Sequence, residues 1–196
     1  LYKINYFAKW NEKLIDAFYF YDDKFALAFK DNNFYFIDKN GDAVTKLGQW
    51  KKAERFDDRG FAIVEGYGYP KCLLDTLGNT YRVAYNLKDL NPNITALDLS
   101  SQQLTTLPEQ VCQNTQLKIL FFSNNKLSSL PESIGQLSNL QTLNLEGNQL
   151  SGLPECIGQL SKLQSLNLRN NQLNTLPESI GRLSKLQSLN LRNNQL

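Results

Sequence analysis

Histidine and methionine are both absent from the 196 residues of this sequence. Without histidine the chain cannot form a Ser-His-Asp or Cys-His catalytic arrangement, and it lacks a common nitrogen ligand for zinc. No CxxC pair is present, and Gly66-Tyr67-Gly68 lacks the lysine and the following helix of a phosphate-binding loop. These absences argue against an enzyme and predict that the chain binds no cofactor and no metal.

Strong charge, long apolar runs and an even number of cysteines are also missing. The net charge of +2 gives no electrostatic reason to expect a nucleic acid partner, and no apolar run approaches the roughly 18 residues of a membrane span. The three cysteines, Cys72, Cys112 and Cys156, lie far apart, which favours a reducing, cytoplasmic location over a disulfide scaffold. Because the sequence starts at Leu1 without methionine, we expect a fragment or processed form, which leaves a secreted or surface location open.

A 23-residue unit is repeated through the second half of the chain. Its copies, numbered here one to five, begin at Ile94, Leu117, Leu140, Leu163 and Leu186, and the fifth stops after LQSLNLRNNQL. A repeat of this length indicates a solenoid, in which stacked copies bury a core that no copy could bury alone. Leucines alternate with other residues in segments such as LNL, which predicts a strand, and LPxxIGxL predicts a short helical or 3₁₀ segment behind it.

The pattern LxxLxLxxNxLxxLPxxIGxLxx resembles the leucine-rich repeat family over residues 94–196. Its LPxxIGxL half resembles the intracellular class found in Ras-associated and bacterial Roco-type proteins. This resemblance implies an α/β fold in which a right-handed solenoid carries a parallel sheet on its concave face. It also implies that the chain is a regulatory or signalling module of a longer bacterial protein.

The candidate partner-binding surface consists of the residues that the alternation turns outward on the concave face. They are Ala96, Asp98, Ser100, Ile119, Phe121, Ser123, Thr142, Asn144, Glu146, Ser165, Asn167, Arg169, Ser188, Asn190 and Arg192. Two of them are apolar where neighbouring copies carry small or polar residues, namely Ile119 and Phe121. They are either anchors for a protein partner or positions that the N-terminal region or another segment of the chain covers.

The charge of this surface is expected to change sign along the solenoid. Asp98 and Glu146 come early, whereas Arg169 and Arg192 come late. A partner would therefore place acidic groups near the C-terminal end, where such contacts affect the association rate and its salt dependence more than the affinity.

One asparagine recurs at the bend that follows each strand. The four copies of it are Asn125, Asn148, Asn171 and Asn194. Because an amide both donates and accepts hydrogen bonds, and because buried backbone groups need partners, we predict a structural ladder here rather than a binding site. The first copy departs from the pattern at Gln102, Cys112 and Asn114, as terminal repeats often do.

The first ninety residues differ in composition, with many aromatic residues and no leucine repeat. A fainter repeat aligns AFYFYDDKFALAF from Ala17 with AERFDDRGFAIV from Ala53, and IDKNGDAV with LDTLGNTY. Each unit predicts strand, turn and strand, with glycine where a hairpin needs positive φ.

We expect the acidic residues at equivalent places to cap turns rather than to act as paired carboxylates; these are Asp22, Asp23, Asp57 and Asp58. The N-terminal aromatics are either a ligand platform or, as we favour, core residues of short strands; they are Tyr2, Tyr6, Phe7, Trp10, Phe18, Tyr19, Phe20 and Tyr21.

These two units resemble the bacterial WG-type β-repeat, which carries an F-x-x-G-x-A-x-V strand and an I-D-x-x-G hairpin. The resemblance falls on Gly60, Ala62 and Val64, whereas the first unit has Lys24 at the glycine position and no Trp-Gly pair. We therefore predict a small antiparallel β domain over residues 1–90. A leucine-rich repeat domain of five copies, the last incomplete, is predicted over residues 91–196.

Two functions fit this organisation. In the first, the repeats are a scaffold, sensor or regulatory module that binds a protein; in the second, they are a structural spacer or assembly module without a specific ligand. Variation among the first three copies favours protein binding, whereas the identity of copies four and five over their shared residues favours a spacer. The uncovered leucines of the fifth copy also predict that the chain could associate end to end with itself.

Overall fold

The computed structural model describes residues 8–10, 13–15, 18–22, 24–68 and 70–196. Contacts divide the chain into two compact units, residues 1–82 and 83–196. The sequence places this division later, between residues 90 and 91. It lies earlier in the structure because Ala84 belongs to the leucine core of the second unit, and Leu87 and Leu90 pack against that core.

The first unit is built from short antiparallel strands. They are β1 (Ala8–Trp10), β2 (Lys13–Ile15), β3 (Phe18–Tyr21), β4 (Phe25–Lys30), β5 (Asn33–Ile37), β6 (Gln49–Trp50), β7 (Lys52–Ala53), β8 (Phe61–Glu65), β9 (Cys72–Asp75) and β10 (Thr80–Ala84), with a 3₁₀ helix at Thr45–Leu47. The last two residues of β10, Val83 and Ala84, belong to the second unit. Strand β1 pairs with β2, strands β3 to β6 pair in chain order, and so do strands β7 to β10. The predicted antiparallel β region is therefore confirmed.

Aspartate-led turns connect the strands of this unit. Asp38, Asp57 and Asp75 each use one carboxylate oxygen to accept hydrogen bonds from backbone N–H groups two and four residues later, at 2.8–3.0 Å. Gly41 and Gly78 have φ angles of 84° and 95°, which side chains with a Cβ rarely adopt. Local side-chain hydrogen bonds thus stabilise the turns, which is the role expected of Asp57.

Aromatic rings form the centre of the first unit. The ring centroids of Phe36 and Phe56 lie 4.8 Å apart, and Tyr21 and Phe25 lie 5.6 and 6.0 Å from Phe56. Such tilted pairs add stabilisation beyond the burial of apolar area. Of the N-terminal aromatics considered above, Tyr21 packs into this core. The others, or their side chains, lie outside the described residues; they are Tyr2, Tyr6, Phe7, Trp10, Phe18, Tyr19 and Phe20.

The second unit is a stack of parallel strands, one from each repeat copy. These strands are β11 (Ala96–Asp98), β12 (Ile119–Phe121), β13 (Thr142–Asn144), β14 (Ser165–Asn167) and β15 (Ser188–Asn190). Each pairs in parallel with the next, and residues 23 apart are aligned. At the N-terminal side Val83 and Ala84 of β10 pair in parallel with Ala96 and Leu97, so these two residues cover the edge of the first copy.

Short helices lie behind the strands. They are a 3₁₀ helix at Leu87–Asp89, the α-helix α1 (Glu109–Cys112), and 3₁₀ helices at Glu132–Gln136, Glu155–Gln159 and Glu178–Arg182. Each of the last four follows a proline, whose fixed φ and missing N–H suit the start of a helix. The predicted leucine-rich repeat solenoid with a parallel sheet is confirmed.

Buried leucines fill the space between the strands and these helices. Leu120 and Leu143 are fully buried and Leu166 is 1% exposed, whereas Leu189 at the same position of copy five is 40% exposed. Because burial of apolar area is the main stabilising contribution, each copy depends on its neighbour for most of its stability.

Candidate binding surface

The outward residues of the parallel strands share a local geometry that holds them in place. Asn144, Asn167 and Asn190 each use the side-chain oxygen to accept a hydrogen bond from the backbone N–H two residues later, at 3.0–3.1 Å. Asp98 makes the same bond to the N–H of Ser100 at 3.0 Å. Because the amide oxygen is used in this way, the NH₂ group of each asparagine is the part that points away from its own backbone. That of Asn167 donates to Glu146, and Asn144 is buried, so the NH₂ group of Asn190 is the one left to meet a partner.

Burial divides this surface into a closed part and an open part. Ala96 is fully buried, and Ile119 and Phe121 are each only 1% exposed, although they lie on the face opposite to the leucine core. Side chains that are so deeply buried cannot reach a partner. Ile119 and Phe121 are therefore not available as anchors, and the covered alternative applies to them.

The open part is clearest in copies three to five, although Asp98, Ser100 and Ser123 of copies one and two are also half-buried. Thr142, Glu146, Ser165 and Asn167 are half-buried, whereas Arg169, Ser188 and Arg192 are exposed and Asn190 is half-buried. Asn144 is buried at 7% exposure, so it borders this part without being open to solvent. A protein partner that approaches the sheet would thus meet a polar strip near the C-terminal copies.

A carboxylate, an amide and a guanidinium meet within the open part. Asn167 Nδ2 donates a hydrogen bond to Glu146 Oε2 at 2.9 Å, and Arg169 Nη1 lies 3.7 Å from Glu146 Oε1. Sequence reasoning placed Glu146 and Arg169 at opposite ends of a charge gradient, and it missed this grouping. The 23-residue offset between these two residues was the available signal, because it gives them the same repeat position, two residues beyond the aligned strands β13 and β14.

Asparagines at the bends connect consecutive copies behind this surface. Asn148 Nδ2 donates to the backbone oxygens of Phe122 and Leu145 at 3.0 and 2.9 Å, and Asn148 Oδ1 accepts from the N–H of Leu127 at 3.0 Å. The equivalent residues make the corresponding bonds; they are Asn125, Asn171 and Asn194. These amides satisfy backbone groups that the bend leaves without partners.

The three cysteines are free thiols. Burial raises the pKa of the Cys156 thiol to about 11, and the nearby Glu132 carboxylate adds to the rise. Burial also raises the pKa of Cys72 and that of Cys112. A raised pKa keeps each thiol protonated near neutral pH, so none of the three has the thiolate character of a reactive cysteine.

The described residues contain neither a candidate metal site nor a candidate membrane span. In the part of the chain that the structure describes, no three cysteine or acidic side chains are grouped so that they could hold a metal ion. No helix within the described ranges has both the length and the apolarity that a bilayer crossing requires.

The family of this chain follows from its repeats and from comparison with known proteins. The leucine-rich repeat region family matches residues 93–196, which is just over half of the chain. The chain therefore belongs to the leucine-rich repeat family. None of the curated proteins matches the sequence.

Solved structures of leucine-rich repeat proteins are similar to the repeat unit. A leucine-rich repeat protein of Leptospira interrogans is 43% identical with a TM-score of 0.52, and the match covers 53% of this chain and 26% of that one. The BIR3–SERK2 complex from Arabidopsis thaliana matches at 38% identity and a TM-score of 0.48, covering 52% of this chain and 56% of that one. An internalin from Listeria monocytogenes matches at 29% identity and a TM-score of 0.46, covering 53% and 30%. The chain thus spans about a quarter of the Leptospira protein.

Proposed function

We propose that this chain is a protein-binding scaffold or regulatory module, not an enzyme, and that it binds its partner on the open part of the concave face. The observation that carries this proposal is a polar strip in which Arg169, Ser188 and Arg192 are exposed and Asn167 and Asn190 are half-buried. Asn167, Ser188 and Asn190 lie on strands that are aligned in register, and the two arginines follow two residues beyond the strand ends. A rigid sheet presents side chains with little loss of conformational entropy on binding.

Site-specific photo-crosslinking tests which face binds. A photo-reactive amino acid at position 188, on the open part, is expected to crosslink a defined partner protein in cells that contain the full chain. The same amino acid at position 185, an exposed lysine beyond the 3₁₀ helix Glu178–Arg182, is the matched control. Mass spectrometry identifies the crosslinked protein, and the purified partner is then tested for direct binding.

The two outcomes separate the binding function from the spacer function. A partner that crosslinks from position 188 and not from position 185 supports binding on the concave face. If both positions crosslink the same broad set of proteins, or neither crosslinks any, the chain has no specific partner on this face and the structural spacer is the better description.

We further propose that the outer edge of β15 mediates self-association. Leu189 is 40% exposed there, while the aligned Leu166 is 1% exposed, so a second copy of the chain could cover the leucine. Sedimentation velocity should show a sedimentation coefficient that rises with protein concentration, and Leu189→Ser should reduce this rise. A wild-type chain that is monomeric at every concentration would contradict the proposal.

We also propose a cytoplasmic location, a relationship to the Roco-like class and a WG-type repeat in the first unit. Three free cysteines support a cytoplasmic location, because a reducing compartment keeps thiols unpaired. The LPxxIGxL segments, which form the 3₁₀ helices, support a relationship to the Roco-like class of a longer bacterial signalling protein. The two aspartate-led turns at 38–41 and 75–78 support a WG-type repeat in the first unit.

A further inference from the structure

In copy four, Asn167 and Arg169 together hold a carboxylate, and this carboxylate belongs to Glu146 of the same chain. The Glu146 carboxylate accepts a hydrogen bond from Asn167 Nδ2 at 2.9 Å with one oxygen, and its other oxygen lies 3.7 Å from Arg169 Nη1. The amide of Asn167 is oriented because its oxygen accepts from the N–H of Arg169 at 3.1 Å. The structure therefore shows directly which ligand an Asn-x-Arg pair on this sheet holds.

Copy five repeats the same pair one strand further along. Asn190 is in register with Asn167, and its oxygen accepts from the N–H of Arg192 at 3.1 Å, so its NH₂ group has the same orientation. The residue that corresponds to Glu146 for this pair is Arg169. Asn190 and Arg192 thus lie beside the Arg169 cation, whereas Asn167 and Arg169 lie beside the Glu146 carboxylate.

The electrostatics of the second pair favour an anion. Arg169 and Arg192 lie at the same repeat position, two residues beyond β14 and β15, and the N–H of Asn170 donates to the backbone oxygen of Arg192 at 2.9 Å. The bases of the two arginine side chains therefore lie close together. Like charges at this spacing disfavour each other, and an anion between them relieves the repulsion. Among the described residues, neither Asn190 Nδ2 nor the Arg192 guanidinium has a hydrogen bond or an ion pair.

We propose that Asn190 and Arg192, with Arg169 beside them, form a binding site for a glutamate or aspartate side chain of the protein partner. The inference rests on the proposed function and specifies the chemistry of the partner: an acidic segment that lies across copy five. In the bound state the partner carboxylate takes the place that Glu146 occupies on the preceding pair, with one oxygen on the amide and the other near the guanidinium.

Side-chain amide resonances in ¹H–¹⁵N NMR spectra test this site. The probe is an acetylated and amidated peptide, Ac-GEGEG-NH₂, with Ac-GQGQG-NH₂ as the uncharged control. The glutamate peptide is expected to shift the NH₂ resonances of Asn190 in a saturable way, while those of Asn167 stay in place because Glu146 already occupies it. The glutamine peptide should leave both unchanged.

Matched variants separate a specific site from general attraction between charges. Arg192→Gln should weaken binding of the glutamate peptide by about three- to fivefold, the range of an exposed ion pair. Arg182→Gln removes the same charge from the exposed end of a 3₁₀ helix and should leave binding unchanged. Equal weakening by the two variants, or no response of Asn190 in the wild type, would overturn the proposal.

A second variant, Glu146→Gln, tests the same assignment without relying on the folding stability of Arg192→Gln. In Glu146→Gln the Asn167–Arg169 pair loses its internal carboxylate, so Asn167 should now shift with the glutamate peptide as Asn190 does. Shifts of Asn167 in the unmodified chain, or none in the variant, count against the assignment. Inorganic phosphate that shifts Asn190 where the peptide does not would assign the pair to another anion and overturn the carboxylate site.

Failure of this inference differs from failure of the proposed function. A partner that crosslinks from position 188 but binds equally well to Arg192→Gln would leave the proposed function intact and remove the carboxylate site. If the chain binds the glutamate peptide but crosslinks no protein, the carboxylate site stands and the proposed function fails.

Discussion

Replacing Leu143 with alanine is expected to lower the free energy of unfolding of the repeat unit by about 2–5 kcal/mol. Leu143 is fully buried and lies in register between Leu120 and Leu166, which are also buried. Removing most of its side chain loses the transfer free energy and leaves a cavity that the neighbouring copies can fill only partly. Urea denaturation followed by circular dichroism measures the change.

Two control variants make this result specific to the core. Gln141→Ala lies two residues away and outside the leucine positions, and should change stability by no more than about 0.5 kcal/mol. Leu189→Ala removes the same atoms at the same repeat position, but Leu189 is already 40% exposed, so the loss should be clearly smaller. Equal effects of Leu143→Ala and Gln141→Ala would mean that the repeat has been assigned in the wrong phase.

The second large effect is expected for Asn148→Leu, which should lower the free energy of unfolding by about 1–3 kcal/mol. Leucine has the same branched arrangement of side-chain heavy atoms but cannot donate to the oxygens of Phe122 and Leu145 or accept from the N–H of Leu127. These buried backbone groups would then lack partners, which costs more than the hydrogen bonds themselves contribute. Denaturation measures the loss, and hydrogen exchange should be faster at the Leu127 amide.

Asn194→Leu is the matched control for this variant. Asn194 makes the same bonds in copy five, to the oxygens of Leu168 and Leu191 and from the N–H of Leu173, but it is only half-buried. Water can replace part of these bonds there, so the loss should be smaller than for Asn148→Leu. If Asn194→Leu lowers the free energy of unfolding more than Asn148→Leu does, the burial of these asparagines does not determine how much they stabilise the fold.

The sequence by itself determined the repeat unit. Five copies in one phase indicate which leucines face inward, and the structure places Leu143 and Leu166 in the core with their neighbours in register. Repetition makes this inference reliable, because each copy has the same local pattern and stacking is the way in which the copies bury their leucines. The positive φ angles of Gly41 and Gly78 are equally local, since they depend on the sequence of one turn.

Only the tertiary structure decided which outward residues are open. Ile119 and Phe121 have the same alternation whether they are exposed or covered, and only the structure shows that each is 1% exposed. The sequence also did not show that the two units divide between residues 82 and 83. Nor did it show that Glu146 contacts Asn167 and Arg169. The repeat predicts that Glu146 and Arg169 lie side by side. It does not predict that the Glu146 side chain reaches Asn167, because the rotamers and the register are set by packing between strands of different copies.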